Sequence, residues 1–419
     1  MTIDTSLDGP VGPAAGAGAR WVGTGGSDDP DPGRAVAAAL ATARAGAAPQ
    51  LAILFCSPAY DLTAVVHEVR AGLGEGVELI GCSTAGELSD GGATDRGLVL
   101  WLLGGEGLDV ATGVGTGSED GLRSAAAEAA RCAERVPRRR HGVLILLADG
   151  LCGDQMQVVR GAYEVAGTEF PLVGGCAGDD LAMERTLQVH GDGVHDDRVL
   201  RHSVVAAAVS SDAPIGIGVA HGWQPVGEPL LVTSSHGVEV RTLDDRPAMD
   251  AYLEAFGAPP ELGTDPAAFT RFALTRPLGI RRRDRLEIRF VAGGDPVSRT
   301  LHCIAEVPQG GPAWPMTGDQ ETVLRATDHA CAAAVEGLGG HEPCGALVFD
   351  CVARRSVLDG DPDPLDGTDA DGGVRQELAR VSDAVGGVPL AGFYTYGEIA
   401  RTRGAGGFHN QTLVVLALG

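Results

Sequence analysis

One loop pattern occurs three times in this chain, and it constrains the fold more than any other feature. Gly81–Glu87 lies in VELIGCSTAGE, Gly174–Asp180 in FPLVGGCAGDD, and Gly392–Glu398 in VPLAGFYTYGEI. Each loop directly follows a short apolar run, and each run sits in the same larger order of elements. A helical stretch precedes a strand, a second helix precedes the strand that enters the loop, and a further strand closes the unit. In copy one these are Pro32–Ala48, Leu51–Phe55, Asp61–Leu73, Val77–Glu87 and Gly97–Leu103. In copy two they are Glu119–Arg135, Val143–Ala148, Asp154–Ala166, Phe170–Asp180 and Val204–Ser210. Copy three has Gln320–Leu338, Gly345–Asp350, Val374–Val385, Val388–Ile399 and Thr412–Leu418. A repeat of this length is too long for a solenoid and predicts duplicated α/β units with mixed sheets flanked by helices. The short link from Glu87 to Gly97 predicts an antiparallel closing strand.

The leads into the first two helices also match, as Val22-Gly-Thr-Gly and Val114-Gly-Thr-Gly. The third copy is lengthened by Ser356–Gly373, which holds DGDPDPLDGTDADGG. Its carboxylates suggest a calcium loop, but the ligand spacing of such a loop is incomplete, and a solvated insertion is the favoured reading. Residues 212–315 have no counterpart in the other copies and read as β-rich with one short helix, Pro247–Phe256. Three segments are expected: a flexible tail over 1–20, a first domain over 21–258, and a second over 266–419.

Composition removes several function classes. The formal net charge of −24 argues against nucleic acid or anionic membranes as partners. All 32 basic residues are Arg, so neither a Schiff-base lysine nor a phosphate loop ending in Gly-Lys is available. The N-terminus lacks the pattern of a secretion signal, and no apolar run reaches the ~18 residues of a membrane span. Nine cysteines without a Cys-x-x-Cys pair indicate a reducing cytoplasm and no structural zinc. No metal site is expected.

Ligands of α/β sheets bind at the carboxyl ends of strands, where the three loops fall. Each loop opens on Gly, offers small polar groups and closes on a second Gly with an acid. This gives the candidate ligand-binding residues Cys82, Ser83, Thr84, Glu87, Cys176, Asp179, Asp180, Tyr394, Tyr396 and Glu398. His221 and Trp223 beside Gly222 offer a flat wall for a ligand ring, and Asn410 precedes the last strand. Turn chemistry is the competing explanation, with Gly for the bend and the acid capping an amide. Cys82 and Cys176 are the only nucleophile candidates, and no base is identifiable beside them.

Read together, Gly81-Cys-Ser-Thr-Ala-Gly-Glu, Phe170-Pro-Leu-Val-Gly-Gly-Cys-Ala-Gly-Asp-Asp, Gly218-Val-Ala-His-Gly-Trp, Asp244-Asp-Arg-Pro-Ala-Met-Asp-Ala-Tyr and Pro389-Leu-Ala-Gly-Phe-Tyr-Thr-Tyr-Gly-Glu-Ile resemble the FIST family (F-box and intracellular signal transduction). The resemblance covers nearly the whole chain after the tail. It implies an intracellular sensory module that binds a small ligand, such as an amino acid or related metabolite. No transmitter segment accompanies the domains, so signalling through a separate protein partner is expected. Some relatives bind haem and sense nitric oxide, which makes His221 and the cysteines candidate haem ligands. An enzyme using loop Cys or carboxylate groups is the remaining alternative.

Overall fold

The computed structural model describes residues 20–419 apart from 45–47, 118, 196, 283–284, 360–371 and 403–406. Copy one comprises β1 (Trp21–Ser27), α1 (Pro32–Ala43), β2 (Leu51–Cys56), α2 (Leu62–Leu73), β3 (Glu78–Ser83), the hairpin β4 (Glu87–Ser89) and β5 (Gly92–Thr94), and β6 (Leu98–Gly104). Copy two follows the same order with β7 (Leu108–Thr116), α3 (Leu122–Ala130), β8 (His141–Ala148), α4 (Met156–Ala166), β9 (Leu172–Cys176), β10 (Gln188–Gly191), β11 (Arg198–Leu200) and β12 (Ser203–Ser211).

Copy three begins earlier than the sequence suggested. Its lead strand is β13 (Ile215–Ala220), which the sequence placed in the unrelated segment. A separate unit follows, with strands β14 to β22 between Gln224 and Thr317 and helices α5 (Ala248–Ala255) and α6 (Pro266–Ala273). Copy three then resumes with α7 (Gln320–Glu336), β23 (Gly345–Cys351), α8 (Val352–Leu358), α9 (Gly372–Ala384), β24 (Leu390–Thr395), β25 (Glu398–Arg401), β26 (Phe408–His409) and β27 (Leu413–Leu418). The acidic insertion lies largely outside the described residues.

A glycine pair marks every lead strand and explains its helix. A Cβ at Gly23 or Gly25 would sit 1.8 or 2.0 Å from the carbonyl oxygens of Ala43 and Ala39. Gly113 and Gly115 meet Ala129 and Ala125 in the same way, and Gly216 and Gly218 meet Ala334 and Ala330. Only glycine lets an Ala-rich helix press its backbone onto the strand this closely. Acidic caps start several of the helices. Asp31 and Asp61 accept amide bonds at α1 and α2, and Asp319 closes a capping box with Thr322 at α7.

The copies are interleaved rather than stacked. Each sheet has four strands from one copy and a hairpin from another. The orders are β1-β6-β2-β3-β10-β11, β7-β12-β8-β9-β25-β26 and β13-β27-β23-β24-β4-β5. Copy one lends its hairpin to copy three, copy three to copy two, and copy two to copy one. Within each sheet the two central strands are parallel and the closing strand is antiparallel, as expected. The sheets are therefore mixed.

The inner faces of all three sheets share one core. Phe55, Phe349 and Phe393 meet there, with Phe55 and Phe393 stacked at 4.9 Å between ring centroids. The outer faces carry the helix pairs, and the unit between copies packs around its own core, which takes in both α5 and α6. The expected boundary near 259–265 falls between those two helices. No described helix is long and apolar enough to cross a membrane.

Candidate functional site

Exchange of hairpins forces the three repeated loops together. Ala85 and Tyr394 bond across loops one and three, with Ala85 N to Tyr394 O at 3.2 Å and Tyr394 N to Gly86 O at 2.9 Å. Loops two and three are joined by Cys176 N to Gly397 O at 2.8 Å and Tyr396 N to Cys176 O at 3.1 Å. Loops one and two are joined by Gly178 N to Ser83 O at 3.0 Å, and the Ser83 hydroxyl donates to Gly178 O at 2.7 Å. A closed ring of main chain results.

The loop acids pin this ring. Glu398 accepts from the Thr395 hydroxyl at 2.5 Å and from the Thr412 amide and hydroxyl at 2.9 and 2.8 Å. Glu87 accepts from the Thr84 hydroxyl, from Thr94 Oγ1 at 3.0 Å and from Gly97 N at 3.0 Å. Both carboxyls are fully buried, and burial raises each to about 7 against those donated hydrogen bonds. The third equivalent is neither Asp179 nor Asp180. Strand pairing sets Glu87 opposite Phe393, Glu398 opposite Gly175, and Gln188 opposite Cys82. Copy two thus carries Gln188 where the others carry glutamate, and the Ser203 hydroxyl donates to it at 2.9 Å. Residues 179–187 are an insertion ahead of it.

That insertion shapes an open cleft of about 660 Å³ to which all three copies contribute. Copy one supplies Pro58, Ala59, Ala85, Asp95 and Arg96. Copy two supplies Asp179 to Ala182, Glu184 and Arg185. Copy three supplies Val352, Arg355, Ser356 and Asp359. Arg355 lies 4.9 Å over the Tyr394 ring and pairs with Asp95 at 2.5 Å and Asp359 at 3.3 Å. Asp180 accepts from the Ser57 hydroxyl at 3.0 Å, and burial raises its carboxyl. The buried Asp179 carboxylate accepts the amides of Met183, Glu184 and Arg185 at 3.0, 2.7 and 2.8 Å. Tyr396 donates to Asp179 at 2.6 Å and accepts the Leu181 amide at 2.8 Å.

Of the sequence candidates, Asp179 and Asp180 line the cleft, and Tyr394 and Tyr396 support its floor and wall. Cys82, Ser83, Thr84, Glu87, Cys176 and Glu398 are sealed beneath it as parts of the ring. Burial pushes the Cys82 and Cys176 thiols well up, and neither is hydrogen-bonded to a histidine, so neither is an activated nucleophile.

His221, Trp223 and Asn410 lie elsewhere. Trp223 packs with Ile288 and Met316 of the inserted unit and donates to Gln411 O at 2.8 Å, and Asn410 donates to His409 O at 2.9 Å. His221 Nδ1 accepts the Trp223 amide at 3.0 Å, and burial lowers the ring to about 4. Among the described residues no histidine or cysteine lines the cleft, so the candidate haem ligands do not fit a haem group there. Among the described residues no cluster of three or more His, Cys, Asp or Glu could hold a metal ion.

Sequence reading missed Arg96, Arg185 and Arg355, whose positions carry no motif. It also missed a buried network behind the cleft. Arg354 bonds Asp350 at 2.7 Å, Thr327 at 3.0 Å and Glu377, and donates to His221 O at 3.1 Å. The only available signal was Asp350-Cys-Val-Ala-Arg354, an i,i+4 pair at the start of a helix.

The class these residues define is a pseudo-three-fold α/β core whose three copies wall one cleft, without an activated thiol. Residues 50–246 match the FIST N domain and residues 248–401 the FIST C domain. The chain belongs to the FIST family, whose domains are sensory domains of signal transduction proteins. An uncharacterized protein of Mycobacterium tuberculosis is 26% identical over 409 residues, covering 93% of this chain and 97% of that protein. One of Mycobacterium bovis is 26% identical over 416 residues with the same coverage. A crystal structure of cyanuric acid hydrolase from A. caulinodans aligns over 96% of this chain and 99% of its own, at 9% identity and a TM-score of 0.34. That likeness carries no argument about activity.

Proposed function

We propose that this protein is a sensory module that binds a small ligand in the cleft between the three copies and signals through a separate protein partner. The observation that supports this reading is the origin of the cleft wall. Each copy contributes side chains to one concavity within the size range of small-molecule sites. A ligand there touches all three copies at once, so its binding energy acts on their relative placement. Charges of both signs on the walls suit a zwitterion such as an amino acid or a related metabolite.

A thermal-shift screen of a metabolite library tests the reading. A ligand at ~100 times its Kd adds about 2.7 kcal/mol, or roughly 3 °C for a chain of this size. The hit should lose its shift in an Ala59→Trp variant, whose side chain fills the cleft. A library without hits, or hits indifferent to Ala59→Trp, would refute it.

A further inference from the structure

The free charges and the exposed apolar groups of the cleft point to one ligand chemistry. Most of the charged side chains on its wall are already engaged. Asp95 and Asp359 pair with Arg355, Asp179 is saturated by three amides and Tyr396, and Asp180 holds Ser57. Among the described residues, the Arg96 and Arg185 side chains close no ion pair or hydrogen bond, and Glu184 forms no ion pair. The wall as a whole stays net negative, with five carboxylates against three guanidiniums, but its charges outside ion pairs and hydrogen bonds are two guanidiniums against the one carboxylate of Glu184. Guanidinium also matches the geometry of a carboxylate.

Leu181 and Met183 are the second observation. They are 54% and 62% exposed, two of the few large apolar side chains so exposed among the described residues. Three residues of this segment hold left-handed backbone angles, Asp180 at φ 54°, Leu181 at 62° and Met183 at 56°. Non-glycine residues adopt such angles only where surroundings impose them. Asp179 and Tyr396 supply that constraint, and the outcome leaves both side chains exposed, with Leu181 on the wall of the cleft. Leu181 faces the same space as Ala59, Ala182 and Val352.

We infer that the cleft takes an amphipathic anion, a carboxylate with a short aliphatic chain. Its charged end lies on Arg96 and Arg185 and its chain against Leu181. This inference rests on the cleft being the ligand site. Isothermal titration of the full chain with hexanoate, acetate and hexylamine tests it. Hexanoate should bind, acetate should bind at least tenfold more weakly for want of a chain, and hexylamine should not compete. The Arg96→Ala/Arg185→Ala double variant, altered only at exposed positions, should lose hexanoate affinity at least tenfold. Leu181→Gly should weaken hexanoate while raising the melting temperature of the free protein, a pairing that simple loss of structure does not produce. Binding of hexylamine alone, or hexanoate binding indifferent to the double variant, overturns the anion assignment and leaves the cleft as the ligand site. Failure of all three probes alongside a library without hits overturns both readings.

Discussion

Replacing Glu398 by glutamine should change how the fold responds to pH more than how stable it is at any one pH. The carboxyl is completely buried and sits at about 7 in the folded chain against an ordinary value of 4.5. Between those values the folded state holds more proton than the unfolded state. Stability therefore falls as pH rises from about 4.5 to about 7. At about 1.4 kcal/mol per pH unit, the gap contributes a loss of about 3 kcal/mol, complete above pH 7. A glutamine side chain cannot titrate, so the Glu398→Gln variant lacks this component. Its amide also faces the Thr412 N–H, a donor, which shifts its stability by an amount independent of pH. Urea unfolding followed by tryptophan fluorescence from pH 4.5 to 8 separates the two effects. The stability of the wild type minus that of the variant should fall by about 3 kcal/mol across that range. Other titrating groups cancel in the difference. A difference flat to within about 0.5 kcal/mol would show the carboxylate ionised throughout, its three donated hydrogen bonds outweighing desolvation.

Arg354→Met leaves Asp350 and Glu377 buried without their cation, and denaturant titration at pH 7 should show a loss of roughly 3–5 kcal/mol. Gly218→Ala places a Cβ 1.8 Å from the Ala330 carbonyl and should cost about 1–3 kcal/mol, whereas Gly311→Ala, with open space around it, should cost almost nothing in the same melt. Tyr396→Phe removes the hydroxyl that holds Asp179 and Leu181. It should cost about 1–2 kcal/mol and speed amide hydrogen exchange over 181–185 more than elsewhere.

Sequence legibility divided along a physical line. The element order, the antiparallel closing strands and the loop positions were legible because each is written locally, in apolar periodicity, caps and glycines. The lead strand of copy three carried the same signal, Gly216-Ile-Gly218 against Gly23-Thr-Gly25. It was obscured by the residues that separate it from its helix α7. The third acid was misassigned because the Gly-acid pattern set Gly178-Asp179 beside Gly86-Glu87, whereas strand register aligned Gln188. The candidate site was legible only as a set of loops. Burial sorted its members, and no spacing rule says which loop residues face a cleft and which are sealed below it.

By itself, then, the sequence determined a triplicated α-β-α-β-β unit, the matching Gly-Thr-Gly leads of its first two copies and its family. The tertiary structure alone decided which sheet each hairpin joins. A hairpin's edge can pair with any open strand edge, because main-chain hydrogen bonds carry no sequence label. That exchange closes the ring of loops, and it brings Arg96, Arg185 and Arg355 from three copies to one cleft.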